Sequence, residues 1–218
     1  MKRGITVVSF LLCSYIAQAG TPNADTTDTN KKAGRQMAFR LAAYEATDSV
    51  AMLPYRDTAI MALNLLSKVF SSKAFQDSLA HYSFPCSNGK KKPCLAFPQL
   101  EPVKCDTMAG MIHGSTVYKD LTADSIVNIE LFLKTAVTKT KTIGFSSGCR
   151  YKITTYDWWM KSRANLVESY AVHLAHEYSH VVGYVHNKTM HKKNEDVAYR
   201  IGGIVRNILK QKEKALSF

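Results

Sequence analysis

No stretch of this 218-residue sequence stays apolar over the roughly 18 residues that a membrane-spanning helix requires. Internal repeats and long low-complexity segments are also missing, which argues against a solenoid or a fibrous chain. Acidic residues are scarce: 17 Asp and Glu stand against 29 Lys and Arg, for a formal net charge of +12. That balance excludes an acidic solvating tail. It leaves open an affinity for anionic surfaces such as nucleic acid, phospholipid or cell-wall polymer, beside the simpler reading of a basic soluble surface. With 46% hydrophobic and 21% charged residues, the composition is globular and sufficient for one core.

The five cysteines include no C-x-x-C pair, which weakens a cysteine-based zinc site. The N-terminus bears on how they are used. Lys2 and Arg3 precede an apolar run from Ile5 to Ile16, and Ala17-Gln18-Ala19 is a small-x-small cleavage site before Gly20. Residues 1–19 therefore read as a secretory signal peptide. Leu12 before Cys13 argues against a lipid anchor. Cleavage leaves Cys86, Cys94, Cys105 and Cys149, an even number in an exported chain, and so two disulfides are expected. Cys86 and Cys94 flank a short loop with the turn signal Asn88-Gly89. The expected pairing is Cys86–Cys94 and Cys105–Cys149.

Residues 20–34 are polar and aperiodic and read as a flexible leader. Residues 35–218 read as one catalytic domain whose part 35–82 is helical and belongs to the domain, no processing signal being visible. Phe39, Ala42, Ala43, Ala46, Val50 and Leu53 recur at helical spacing until Pro54 stops them. A second helix carries Ala59, Ala62, Leu63, Leu66, Val69 and Phe70 on one face. A third, capped by Ser72, presents Phe75, Leu79 and Tyr82. Four of the six prolines fall between Pro85 and Pro102, with Lys90-Lys91-Lys92 among them, so that segment is loop. Thr116 to Tyr118 can begin a strand. Val127, Ile129, Leu131 and Leu133 alternate as a half-buried strand, and Tyr151, Ile153 and Thr155 suggest another. Helices, then strands, then helices make an α+β order.

The chemistry is concentrated after Asn165. Asn165 and Glu168 have the spacing of a capping box at the head of a helix with Val167, Tyr170, Ala171, Leu174, Tyr178 and Val181 on its apolar face. His176-Glu177-Tyr178-Ser179-His180 is H-E-x-x-H, and four residues of helix bring both imidazoles to one side, where they can hold one Zn²⁺. Glu177 lies about 100° around the helix and can act as a general base. Gly183 can take a positive φ, end the helix and return the chain so that His186 reaches the same metal.

His176 to His186 resembles the long zinc motif H-E-x-x-H-x-x-G-x-x-H of the metzincin metallopeptidases. The resemblance implies zinc ligands His176, His180 and His186, with Glu177 as general base. It also implies a zincin-like α+β fold: a small mixed sheet over the active-site helix, additional N-terminal helices and a C-terminal helix. The family's methionine turn has no clear counterpart, because Met190 follows His186 by only four residues and reads as a packing methionine. Tyr199, in the segment after the ligands, is the candidate oxyanion stabiliser. Asp196, with Tyr199 three residues on, is the competing third ligand, although a helix start already accounts for an aspartate there. His173 reads as a partly exposed helical histidine with a supporting role as the alternative, and His191 as a spare donor or ligand. The last helix starts near Asn194 and buries Val197, Ile201, Ile204, Val205 and Ile208.

The expected function is that of an exported zinc endopeptidase, monomeric, secreted or periplasmic, acting on peptide or protein and not on nucleic acid. Two other readings remain: a zinc amidase acting on cell-wall peptides, and a non-catalytic basic protein with a structural metal that binds an anionic cell-envelope polymer. A glycosylation sequon, Asn187-Lys188-Thr189, directly after His186 would crowd the cleft if used, which favours a bacterial source.

Overall fold

The computed structural model describes residues 35–48, 54–89, 105, 109–136, 138, 140–146, 150–186 and 195–216. The expected signal peptide and leader, Lys90–Lys92, Cys94, Cys149, Met190, His191 and the sequon lie outside them. The described chain is a mixed α+β fold with six helices and a small mixed sheet.

Strand β1 (Ala38–Ala46) opens the domain and is followed by helices α1 (Pro54–Phe70) and α2 (Lys73–Ala80). A short hairpin of β2 (Ser83–Pro85) and β3 (Met111–His113) leads to helix α3 (Gly114–Leu121). Next come strands β4 (Ile126–Lys134), β5 (Gly144–Ser146) and β6 (Lys152–Tyr156). Helices α4 (Asp157–Lys161), α5 (Leu166–Val181) and α6 (Val197–Leu216) complete the order. The main sheet runs β1-β4-β6-β5, with β1, β4 and β6 parallel and β5 antiparallel at the edge.

The expected helix over residues 39–53 is not formed where the structure describes it: residues 38–46 are a strand. Ala42, Ala43, Glu45 and Ala46 favour a helix locally, but pairing with β4 along its whole length overrides that preference. A register shift between Leu41 and Ala43 disturbs the two-residue alternation, which is why the strand period is hard to see. Two hydroxyls, Ser67 in α1 and Ser71 just beyond it, also bind the chain at the start of this strand. Ser67 Oγ accepts from Phe39 N at 2.8 Å and Ser71 Oγ accepts from Met37 N at 2.8 Å. The N-terminal part is therefore not wholly helical. Thr116 to Tyr118 likewise lies inside α3 and not in a strand.

Other patterns hold in part: Tyr82 lies just beyond α2, and Thr154 is buried together with Ile153 and Thr155 in β6. Val127, Ile129, Leu131 and Leu133 are buried and their neighbours Asn128 and Glu130 exposed. All six expected core residues of α1 are buried. Ser72 caps α2 by accepting from Phe75 N at 3.2 Å. Phe39, Phe70, Phe75 and Tyr178 form an aromatic cluster, with centroids 4.9 Å apart for Phe39–Tyr178 and 4.3 Å for Phe70–Phe75. Residues of β1, α1, α2 and α5 thus share one core, and α5 is fixed by its Tyr178 face. Its opposite face is left for chemistry.

Cys86 pairs with Cys105, Cα atoms 5.7 Å apart. This corrects the expected Cys86–Cys94 and Cys105–Cys149 pairing. The β2–β3 hairpin brings Cys86 beside Gly110 O, its backbone acceptor at 3.0 Å, and so near Cys105, a proximity that chain spacing cannot reveal.

Candidate metal centre

Helix α5 positions His176, Glu177 and His180. Asn165 stands at its N-terminus, but its side chain makes no cap hydrogen bond, so the expected capping box is not formed. The C-terminal end is tightly specified. Gly183 has φ 111°, Gly183 N donates to His180 O at 2.9 Å, and Tyr184 N donates to Ser179 O at 3.0 Å. This pair of bonds is a Schellman closure, which requires a residue tolerant of positive φ at this place. The chain then turns back along the helix and carries His186 to the other two histidines.

His176, His180 and His186 each offer a ligand atom, all within 4.8 Å of one another. His180 Nδ1 donates to Tyr184 O at 2.8 Å, and His186 Nδ1 donates to Asp196 Oδ2 at 3.1 Å. With both Nδ1 atoms spent as donors, the Nε2 atoms of the neutral rings are acceptors, and they face each other at 3.2 Å. Two lone pairs at that separation repel unless a proton or a cation lies between them. Tetrahedral Zn²⁺ with nitrogens at 2.0–2.1 Å would place its ligands about 3.3 Å apart, so the donor set fits a metal of this kind. Burial also suits ligation, which needs neutral imidazole. It pushes His176 down to about 3 and lowers His180. His186 is raised, first by its hydrogen bond to Asp196.

Asp196 is therefore not placed as the third member of the cluster. Its Oδ2 holds His186 from behind, while Oδ1 accepts from Ala198 N at 3.0 Å and Tyr199 N at 3.2 Å at the start of α6. Tyr199 is brought to the centre. Its ring stacks on His186 at 5.1 Å and meets His176 edge-on at 4.8 Å.

Glu177 is 4% exposed, and burial raises its carboxyl to about 7 against the hydrogen bond from Ser146. Ser146 Oγ, on β5, lies 2.9 Å from Glu177 O and 3.2 Å from Oε2. His173 is buried, not partly exposed as expected. Its Nε2 bonds Thr155 Oγ1 at 3.1 Å and its Nδ1 lies 3.8 Å from Glu177 Oε1. Burial holds it neutral, down to about 3. The four-residue step from His173 to Glu177 is the local signal for this contact. Gly144 makes room for it: a Cβ there would stand 2.6 Å from His173 Nε2 and 2.4 Å from Thr154 O.

Two further supports had no signal in the sequence. Tyr184, whose carbonyl holds His180, donates its hydroxyl to Asp120 at 2.7 Å. Asn88, fully buried, accepts from Val185 N through its backbone at 3.2 Å and donates from Nδ2 to Glu195 O at 3.2 Å. It thereby ties together the two chain segments that end in His186 and begin with Asp196.

The histidines and Glu177 line a cavity of about 1300 Å³ between α5, α6 and β5. No protein-family model matches the chain, no curated protein matches its sequence, and no solved structure matches its fold.

Proposed function

We propose that the protein is an exported zinc-dependent endopeptidase of zincin type. The observation that carries the reading is a buried carboxylate, Glu177, next in sequence to one of three imidazoles that converge on an open cleft. A purely structural metal site has no need of that carboxylate or of the cavity beside it. The placement of a mixed sheet beside the helix that bears the motif agrees with a zincin-like arrangement.

His176, His180 and His186 would hold the metal, which supplies Lewis-acid polarisation of the scissile carbonyl and of water. Glu177 takes the proton of the attacking water and returns it to the leaving amine. A carboxyl raised to about 7 is matched to both transfers near neutral pH. Ser146 holds Glu177 in place, and the neutral His173 ring packs beside it. Tyr199, whose phenol is kept protonated by burial and by the charge of Asp196, is the donor assigned to the oxyanion. Among the described strands β5 is an edge, and it reaches Glu177 through Ser146, so an extended peptide can pair along it beside the centre. The Cys86–Cys105 pair suits an oxidising compartment, and no described helix is long and apolar enough to cross a membrane.

The test is zinc content together with hydrolysis of an unfolded protein substrate, with and without chelator. One zinc per chain with chelator-sensitive cleavage is expected. Stoichiometric zinc without cleavage of any peptide bond would leave a structural metal site and overturn the reading.

A further inference from the structure

We infer that the cleft selects acidic peptides, and that one face of α6 is the element that selects them. The occupant's being a peptide rests on the endopeptidase reading; the charge preference rests on the cleft itself.

Tyr199, Gly203, Arg206 and Lys210 recur at three- and four-residue steps, so they share one face of α6, and all line the cavity. The strip has three zones. At the metal end, Tyr199 stacks on His186. In the middle, α6 packs on α5 at Gly202, where a Cβ would make ordinary contact with Val172 O at 3.5 Å and His176 Cβ at 3.7 Å. A Cβ at Gly203 would meet nothing within 4 Å, so that residue leaves the cleft floor open. At the far end, Arg206 and Lys210 are exposed.

The other walls carry the same sign. Lys141 enters from the segment before β5, and Arg163 lies 5.2 Å from the Trp159 ring, which limits where its charge can go. Among the described residues outside the His–Glu–Tyr centre, the charged side chains lining the cavity are four cations, Lys141, Arg163, Arg206 and Lys210, and one carboxylate, Glu168. All four cations are exposed, and a concave wall with this imbalance concentrates a positive potential on whatever enters. From Tyr199 to Arg206 the helix rises about 10 Å, a span that an extended peptide covers in about three residues. An acidic side chain about three residues from the cleaved bond is therefore the group this face receives.

Binding can be measured without catalysis, using zinc-loaded Glu177→Gln protein and fluorescence anisotropy of labelled unstructured peptides. The peptides are matched in length and carry Glu, Gln or Lys at the variable positions. The Glu peptide should bind about tenfold more tightly than the Gln peptide, with the margin shrinking as salt rises. Arg206→Glu should remove that margin, and Gly203→Leu should weaken all three peptides by filling the floor. Lys119→Glu, an equal change of net charge on exposed α3 surface outside the cavity, should leave the margin in place. Equal binding of the Glu, Gln and Lys peptides overturns the inference, as does equal loss in Arg206→Glu and Lys119→Glu. Parent protein that binds the Glu peptide selectively and never cleaves it overturns the peptidase reading alone. Cleavage with no acidic preference overturns the inference and leaves the peptidase.

Discussion

His186 and Asp196 are joined through Nδ1 and Oδ2 at 3.1 Å, while the other oxygen of the same carboxylate caps α6. One side chain thus orients a metal ligand and starts the helix that walls the cleft. The two tasks can be separated. Asp196→Asn keeps a capping oxygen but, with its amide turned to His186, offers no acceptor to Nδ1. Zinc affinity should fall about 10- to 100-fold while the metal-free protein melts close to the parent. Asp196→Ala should lose the same affinity and about 1 kcal/mol of stability as well. Competition with a chelator at one pH, with thermal unfolding of the metal-free variants, reads both. Parent-like zinc affinity in Asp196→Asn would show that the carboxylate does not hold His186.

Glu177→Gln should retain one zinc per chain and lose hydrolysis, because the amide cannot accept the proton. His176→Ala should lose both metal and activity. Metal analysis and a peptidase assay on the same preparations check this. Full activity in Glu177→Gln would remove the carboxylate from the reaction.

Gly144→Ala should destabilise the fold by about 1–3 kcal/mol, because the added methyl meets Thr154 O, a backbone atom that cannot move aside, as well as His173. His173→Phe should fill its site and remove the bond to Thr155, whose hydroxyl keeps Tyr170 as a partner, at a cost of about 0.5–1.5 kcal/mol. Denaturant unfolding measures both. A parent-like midpoint in Gly144→Ala would mean that β5 and α5 are not packed as closely as described.

Peptide mapping of the unreduced protein should link Cys86 to Cys105. Replacing Cys86 and Cys105 together by Ser should cost about 2–4 kcal/mol. It should also weaken zinc binding, because Asn88 in the adjoining turn braces Val185 and Glu195, the residues before His186 and Asp196. A Cys86–Cys94 peptide would contradict the hairpin geometry.

What the sequence by itself determined lies within single turns of helix. His176, Glu177 and His180 are set by the 3.6-residue period, and Gly183 by the need for a positive φ at the helix end. The buried faces of α1 and β4 follow from periods of the same local kind. The rest depends on partners distant in the chain. Residues 38–46 become strand because β4, nearly ninety positions on, supplies the hydrogen bonds that local propensity would have placed in a helix. Cys86 finds Cys105 because the hairpin brings their segments together. His173 is buried because β5 and β6 close over it, and Asp196 stands behind His186 because α6 docks on α5. Spacing along a helix is fixed by covalent geometry, whereas these pairings are set by which apolar faces pack together, and only the folded chain decides that.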